Sequence, residues 1–156
     1  MSERSPQARD SLHATAIVVG ETGLLFTGPS GSGKSSAAFA CINAARSRGW
    51  HAAIVADDRT FVTVRSGRCI ASCPEAIAGL LELRGTGIIS LPTQSHAIIH
   101  LVVDLAEPTA ATRLPPENET FSCNEVTLPL MRLWHDGAVD PLSFICACHP
   151  ELFLGN

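Results

Sequence analysis

The chain has 156 residues, of which 46% are hydrophobic and 17% charged. That is enough for one globular domain with a sizeable core, and the composition is that of a globular chain and not of a disordered one. A formal net charge of −4 argues against a nucleic-acid or membrane-surface binder, since either would carry a basic face. No run reaches the roughly 18 apolar residues of a membrane span.

The polar opening, residues 1–11, reads as a flexible arm ahead of a single domain over 12–156. No apolar stretch marks a signal peptide, so a cytoplasmic setting is expected. His13–Val19 is β-branched and strand-like. Gly20–Gly23 follows as a tight turn, and Leu24–Thr27 runs back as a second strand, so the two are antiparallel. A glycine-rich loop comes next, then a helix over Lys34–Arg48. Ala37, Ala38, Cys41, Ile42 and Ala45 form its apolar stripe, and Gly49 stands where a helix-ending glycine belongs. Ala52–Ala56 is a continuous apolar run of the kind found in buried strands, ending at Asp57-Asp58. Phe61–Val64 and Cys69–Ala71 flank Ser66-Gly67 as a hairpin. Pro74–Leu83 reads as a short helix or turn, Ile98–Leu105 as a strand, 107–120 as a surface loop and Leu128–Leu133 as a further strand. The tail from Pro141 reads as helical.

The loop Gly28-Pro29-Ser30-Gly31-Ser32-Gly33-Lys34-Ser35, with Ser36 behind it, satisfies G-x-x-x-x-G-K-[ST] between a strand and a helix. Glycines let the backbone wrap closely around phosphate, and successive N–H groups with the helix N-terminus make an anion nest. Lys34 then reaches the β- and γ-phosphates of ATP, and Ser35 supplies a hydroxyl to Mg²⁺. The alternative is a glycine turn that only caps a helix. Acids closing a buried strand beside such a loop are placed to meet metal and nucleophile. Asp57 and Asp58 point to opposite sides if the backbone stays extended, and so take different jobs. Their alternative is a local loop cap. Glu82 and Arg84, two apart in Glu-Leu-Arg-Gly-Thr-Gly, share a face on a strand; by themselves they are equally an ordinary surface pair.

Of the six cysteines, Cys69/Cys73 and Cys146/Cys148 with His149 are the groupings a zinc site would use. Neither has the usual two-residue gap, so reduced, packing cysteines are expected instead.

Together, "GPSGSGKSS", "VADDR" and "ELRGTGII", preceded by the hairpin that opens at His13, resemble the catalytic domain of bacterial HPr kinase/phosphorylase over about residues 12–105. The short arm is similar to the truncated form found in α-proteobacteria. The resemblance implies an α/β P-loop fold like that of phosphoenolpyruvate carboxykinase, with a mixed sheet and helices. It implies ATP and Mg²⁺ as cofactors, the phosphocarrier protein HPr as the serine-bearing substrate, removal of that phosphate by phosphorolysis in many members, and a homo-oligomer, relatives being hexameric. Carried over by position, Asp57, Lys34 and His13 are catalytic, Gly28 to Ser36 hold the nucleotide, and Ser35, Asp58 and Glu82 lie at the metal. A functional arginine is expected beyond the signature, with Arg113 and Arg132 as candidates by chemistry. The rival readings are a small-molecule P-loop kinase and a nucleotide-binding regulator without catalysis. The first normally places its loop after the first strand of a parallel sheet; the second predicts ATP binding without turnover.

Overall fold

The computed structural model describes residues 9–73, 79–107, 118–135, 137 and 139–156. Arg113 lies outside them, as do 74–78 of the stretch read as a short helix or turn and 108–117 of the stretch read as a surface loop. In chain order the elements are β1 (Asp10–Leu12), β2 (Thr15–Val19), β3 (Thr22–Thr27), α1 (Lys34–Ser47), β4 (Ala52–Ala56), β5 (Thr60–Arg65), β6 (Arg68–Ser72), β7 (Leu80–Leu83), β8 (Gly87–Ser90), β9 (His96–Leu105), β10 (Thr120–Cys123), β11 (Val126–Leu133) and α2 (Pro141–Cys148), with a 3₁₀ turn over Pro150–Phe153.

Among the described residues, nine strands form one mixed sheet, and β7 and β8 form a separate hairpin. The ten-residue β9 organises the sheet. Along one side it runs parallel to β3, from Gly23↔Ile99 to Thr27↔Asp104. On the other side its first half pairs antiparallel with β6 and its second half parallel with β11. β3, β9 and β11 therefore all end at one rim of the sheet. The expected antiparallel pairing of β2 with β3 is present, in register Thr15↔Phe26 to Val19↔Thr22, and β4 lies antiparallel along the outer side of β2.

Strands β2 and β4 are buried at every position, because both faces of the sheet are covered. Period-two alternation sorts their side chains. Ile17, Leu24, Phe26, Ile54, Leu101, Val103 and Leu105 pack with Ala37, Cys41 and Ile42 of α1 and with Leu142 and Ile145 of α2. Ala16, Val18, Leu25, Val55 and Val102 point the other way, onto Val62, Cys69, Ala71, Cys123 and Leu128 from the curled-over β5, β6, β10 and β11. α1 stops as its sequence requires. Gly49 takes φ 79°, the Gly49 N–H reaches the Arg46 carbonyl and the Trp50 N–H reaches that of Ala45, the paired closure of a Schellman end. Asp140 caps α2, accepting from the Ser143 N–H at 2.8 Å.

Four sequence expectations change. Residues 10 and 11, read as the end of the flexible arm, join Leu12 in β1 against β5, from Asp10↔Val62 to Leu12↔Thr60. Leu80–Leu83, read as the end of a helix or turn, is a strand paired with β8. Thr120, read as the end of a surface loop, begins β10, a strand that spacing alone did not reveal. β2 starts at Thr15, leaving His13 in the bend before it.

Candidate active site

The loop after β3 is shaped by one glycine above all. Gly28 has φ 143°, and a Cβ there would lie 2.7 Å from both the Leu105 carbonyl and Ser32 Oγ, so only glycine fits. Lys34, the first residue of α1, is only 6% exposed. Its Nζ donates to the carbonyls of Gly28 at 2.9 Å and Pro29 at 3.2 Å. The cation thereby folds the loop back over its own base and stays beside the cradle of amides.

β4 delivers Asp57 next to the start of α1. Oδ1 accepts from Ser35 Oγ at 2.6 Å and from Thr15 Oγ1 at 2.9 Å, and Oδ2 accepts from the Glu82 N–H at 3.1 Å. Three donors from α1, β2 and β7 thus fix one carboxylate. Asp58 does diverge from Asp57, though not by strand alternation. Its backbone turns into the left-handed region, φ 64°, which aspartate tolerates better than most residues. The Arg59 N–H closes onto the Asp57 carbonyl at 2.7 Å, and the Asp58 side chain comes to His13, Nδ1 to Oδ1 3.2 Å. Ser30 Oγ and Lys34 Nζ each lie 3.4 Å from His13 Nε2. An ammonium only donates, so these contacts suit the imidazole tautomer that accepts at Nε2 and donates from Nδ1 to Asp58.

Thr15 is the residue that sequence reasoning missed. It is fully buried, donates to Asp57 and accepts from the Asp58 N–H at 3.3 Å. One hydroxyl thereby ties both acids to β2. Within a β-branched run, a threonine reads only as a strand former.

Glu82 meets Asp57 through its main chain, while its own side chain is exposed. Arg84 sits in the β7–β8 turn and not on the strand, and a Cβ on Gly31 would lie 3.3 Å from its Nη1. Ser30, Lys34, Ser35, Asp57, Asp58, Glu82 and Arg84 all border one cavity of about 270 Å³. Every residue proposed from the sequence as catalytic or metal-binding is therefore gathered at one place, with His13 joined to it by its contacts. Arg132 is not. It is engaged by Glu119, Nε to Oε1 2.7 Å and Nη2 to Oε2 2.9 Å, and that pairing holds the Glu119 carboxyl below its usual range. The oxygen-rich set of Ser35, Asp57, Asp58 and Glu82 suits a hard divalent cation such as Mg²⁺. Among the described residues, no three histidine, cysteine or acidic side chains converge as a metal cage.

Comparison with known proteins follows the same lines. Residues 5–136 match the model of the HPr Serine kinase C-terminal domain. The HPr kinase/phosphorylase of Clostridium tetani is 39% identical over 89 residues, 57% of this chain and 27% of that protein. The HPr kinase/phosphorylase of Xylella fastidiosa strain M12 is 29% identical over 138 residues, 80% of this chain and 42% of that protein. The chain thus matches less than half the length of these curated relatives. A solved structure, the Hpr(Ser) kinase/phosphatase from Coxiella burnetii, superposes with a TM-score of 0.72 at 24% identity, covering 91% of this chain and 99% of that one. The fold is the P-loop type that resembles phosphoenolpyruvate carboxykinase.

Proposed function

The chain belongs to the family of HPr serine kinase C-terminal domains, and from that premise we propose that it transfers the γ-phosphoryl group of ATP to a serine of the phosphocarrier protein HPr. The observation that carries this reading is the 2.6 Å bond from Ser35 Oγ to Asp57. It joins the start of α1, at the end of the phosphate-binding loop, to the carboxylate that follows β4, and both border the same cavity.

In this reading the amides of Gly28 to Ser36 hold the phosphates, and Lys34 places its charge beside them. Mg²⁺, when bound, supplies charge neutralisation at the phosphate oxygens, with Ser35, Asp58 and Glu82 as its protein-side partners. Thr15 and the Glu82 N–H hold Asp57 so that it faces the incoming serine. The serine oxygen forms the new bond to the γ-phosphorus and its proton passes to Asp57. The bond from that phosphorus to the β–γ bridging oxygen breaks, and ADP leaves. Phosphorolysis uses the same groups in the opposite direction with orthophosphate in place of ADP: an orthophosphate oxygen bonds to the phosphoserine phosphorus, the bond from that phosphorus to the serine oxygen breaks as Asp57 returns the proton to that oxygen, and pyrophosphate leaves.

A second assignment of roles rests on a specific contact. Because Asp57 already accepts from Ser35, it is also positioned as the metal-side acid, with the Asp58–His13 pair at 3.2 Å handling the proton. The antiparallel β2–β3 entry to the loop speaks against a small-molecule P-loop kinase. A homo-oligomer in the cytoplasm is the proposed working form. No described helix is long and apolar enough to cross a membrane, and Phe144, Val139 and Leu154 near the C-terminal end are exposed apolar side chains available to a neighbouring copy. Incubation with γ-labelled ATP, Mg²⁺ and HPr tests the activity. Label on HPr supports it, whereas label on a small molecule, or none transferred despite ATP binding, supports one of the rivals.

A further inference from the structure

The phosphate loop is the common wall of two cavities. One is the acid-lined cavity described above. The other, about 580 Å³, shares Ser30, Gly31, Gly33 and Ser36 with it but is otherwise different in chemistry. Much of its remaining wall comes from the ends of the parallel strands: Leu105, which closes β9, with Ala106 after it, and Trp134 and His135 after β11. The Ala106 N–H reaches the Leu133 carbonyl at 3.4 Å, which holds those two ends together. Trp134 is 44% exposed at this rim. Two buried polar atoms without a hydrogen-bond partner, Ser32 Oγ and His135 Nδ1, belong to residues of the same wall.

Buried polar atoms in folded proteins are nearly always paired. Two orphans beside one cavity, together with a solvent-facing indole and two aliphatic residues, describe a site that wants a flat, apolar body with polar edges. The ends of parallel strands are also where open α/β sheets take up ligands. We propose that this cavity receives the base and ribose of the nucleoside triphosphate, with Trp134 stacking on the base and Ser32 and His135 meeting its polar atoms. The proposal rests on the phosphate-loop reading above and adds a direction to it. The nucleotide lies across the loop, its nucleoside against Leu105 and Trp134 and its terminal phosphate against Asp57 and Arg84. Lys34 and Arg84 border the acid-lined cavity, whereas among the described residues no lysine or arginine borders the larger one, so the cations favour the polyphosphate on the Asp57 side and the nucleoside in the larger cavity.

The test separates nucleoside from phosphate. Calorimetric titrations of the chain with Mg²⁺-ATP and with Mg²⁺-tripolyphosphate are run on the wild type, Trp134→Ala, Trp134→Phe and Lys34→Ala. Trp134→Ala is expected to weaken ATP about ten-fold, the scale of lost base–aromatic stacking, and to leave tripolyphosphate unchanged; Trp134→Phe restores most of the loss. His135→Ala gives a smaller loss in the same direction. The proposal is overturned if Trp134→Ala leaves ATP affinity intact, or if ATP and tripolyphosphate weaken together. If the wild type binds neither ligand, or if Lys34→Ala leaves both unaffected, the phosphate-loop reading fails and the nucleoside site falls with it.

Discussion

Asp57 sits where three elements meet, and its neighbours decide what it does. Thr15, Ser35 and the Glu82 N–H all donate to it, whereas Asp58, on a left-handed backbone, turns to His13. If Asp57 is the proton acceptor, Asp57→Asn keeps its shape and one acceptor oxygen but cannot take the proton. Single-turnover transfer should then fall by about 10²–10⁴, with ATP affinity changed far less, since the loop amides and Lys34 hold the phosphates. Asp58→Asn should lose less rate and change the Mg²⁺ requirement. The reverse pattern, with the larger rate loss in Asp58→Asn, would assign the proton to the Asp58–His13 pair. Thr15→Val removes the hydroxyl that ties both acids. It should slow transfer roughly ten-fold or less, as befits a positioning group whose loss leaves the acid present but loose. Retained ATP affinity in the same titrations checks that the loop is undisturbed. The loop residues and the paired acids were legible in the sequence because their chemistry needs fixed spacing. Thr15 was not, since its role depends on the pairing of β2 with β4, which brings Ala16 opposite Ala56, and no local pattern encodes that.

At the scale of elements, the hairpins show what local sequence can and cannot say. Ser66 and Gly67, at φ 52° and 73°, make the tight turn that their identity signals, and β5 and β6 pair around them. The signature that contains Glu82 and Arg84 was harder to place. Leu80–Leu83 is too short to display a period, and it becomes a strand by pairing with β8 beside α1. The β3–β9 pairing hides another non-local device. Its register shifts between Gly23 and Leu24, so His100 faces no partner in the ladder. His100 Nδ1 instead accepts the Gly23 N–H at 3.1 Å. Burial holds His100 below its ordinary value, with Arg68 adding to the effect. A folded value below the unfolded one means the neutral ring stabilises the fold at higher pH. That stability is fully present above the usual histidine value of about 6.5 and is lost as pH falls through it toward the folded value. Urea midpoints should therefore drop between pH 7.5 and pH 5.5 (about one unit either side of that value). His100→Asn, which keeps an acceptor at the same place, should flatten the drop. An unchanged slope in the variant would remove His100 as its source.

For the molecule as a whole, a doubly covered sheet explains why the β-branched run His13–Val19 and the continuous apolar run Ala52–Ala56 read as strands, and why the stripe from Ala37 to Ala45 read as α1. The sorting of alternate residues onto two cores depends on the curl of β5, β6, β10 and β11, which arises from long-range pairing. The same curl redistributes the cysteines. Cys69 packs against Cys123 of β10, Sγ to Sγ 3.1 Å. Burial first, and then the thiol contact with Cys123, raises the Cys69 thiol, which opposes the thiolate that zinc requires. Purified protein should contain no stoichiometric zinc by elemental analysis, and a chelator should leave its Tm unchanged; near one equivalent of metal per chain would reverse this reading. The larger question is whether the phosphate loop, the acids and the open cavity serve a protein hydroxyl. The decisive measurement is mass spectrometry of HPr after incubation with the chain and Mg²⁺-ATP, alongside Lys34→Ala and an HPr whose target serine is replaced by alanine. The expected result is one phosphate per HPr, located on that serine, absent with Lys34→Ala and absent from the altered HPr. Unmodified HPr in the presence of a chain that demonstrably binds ATP would contradict it.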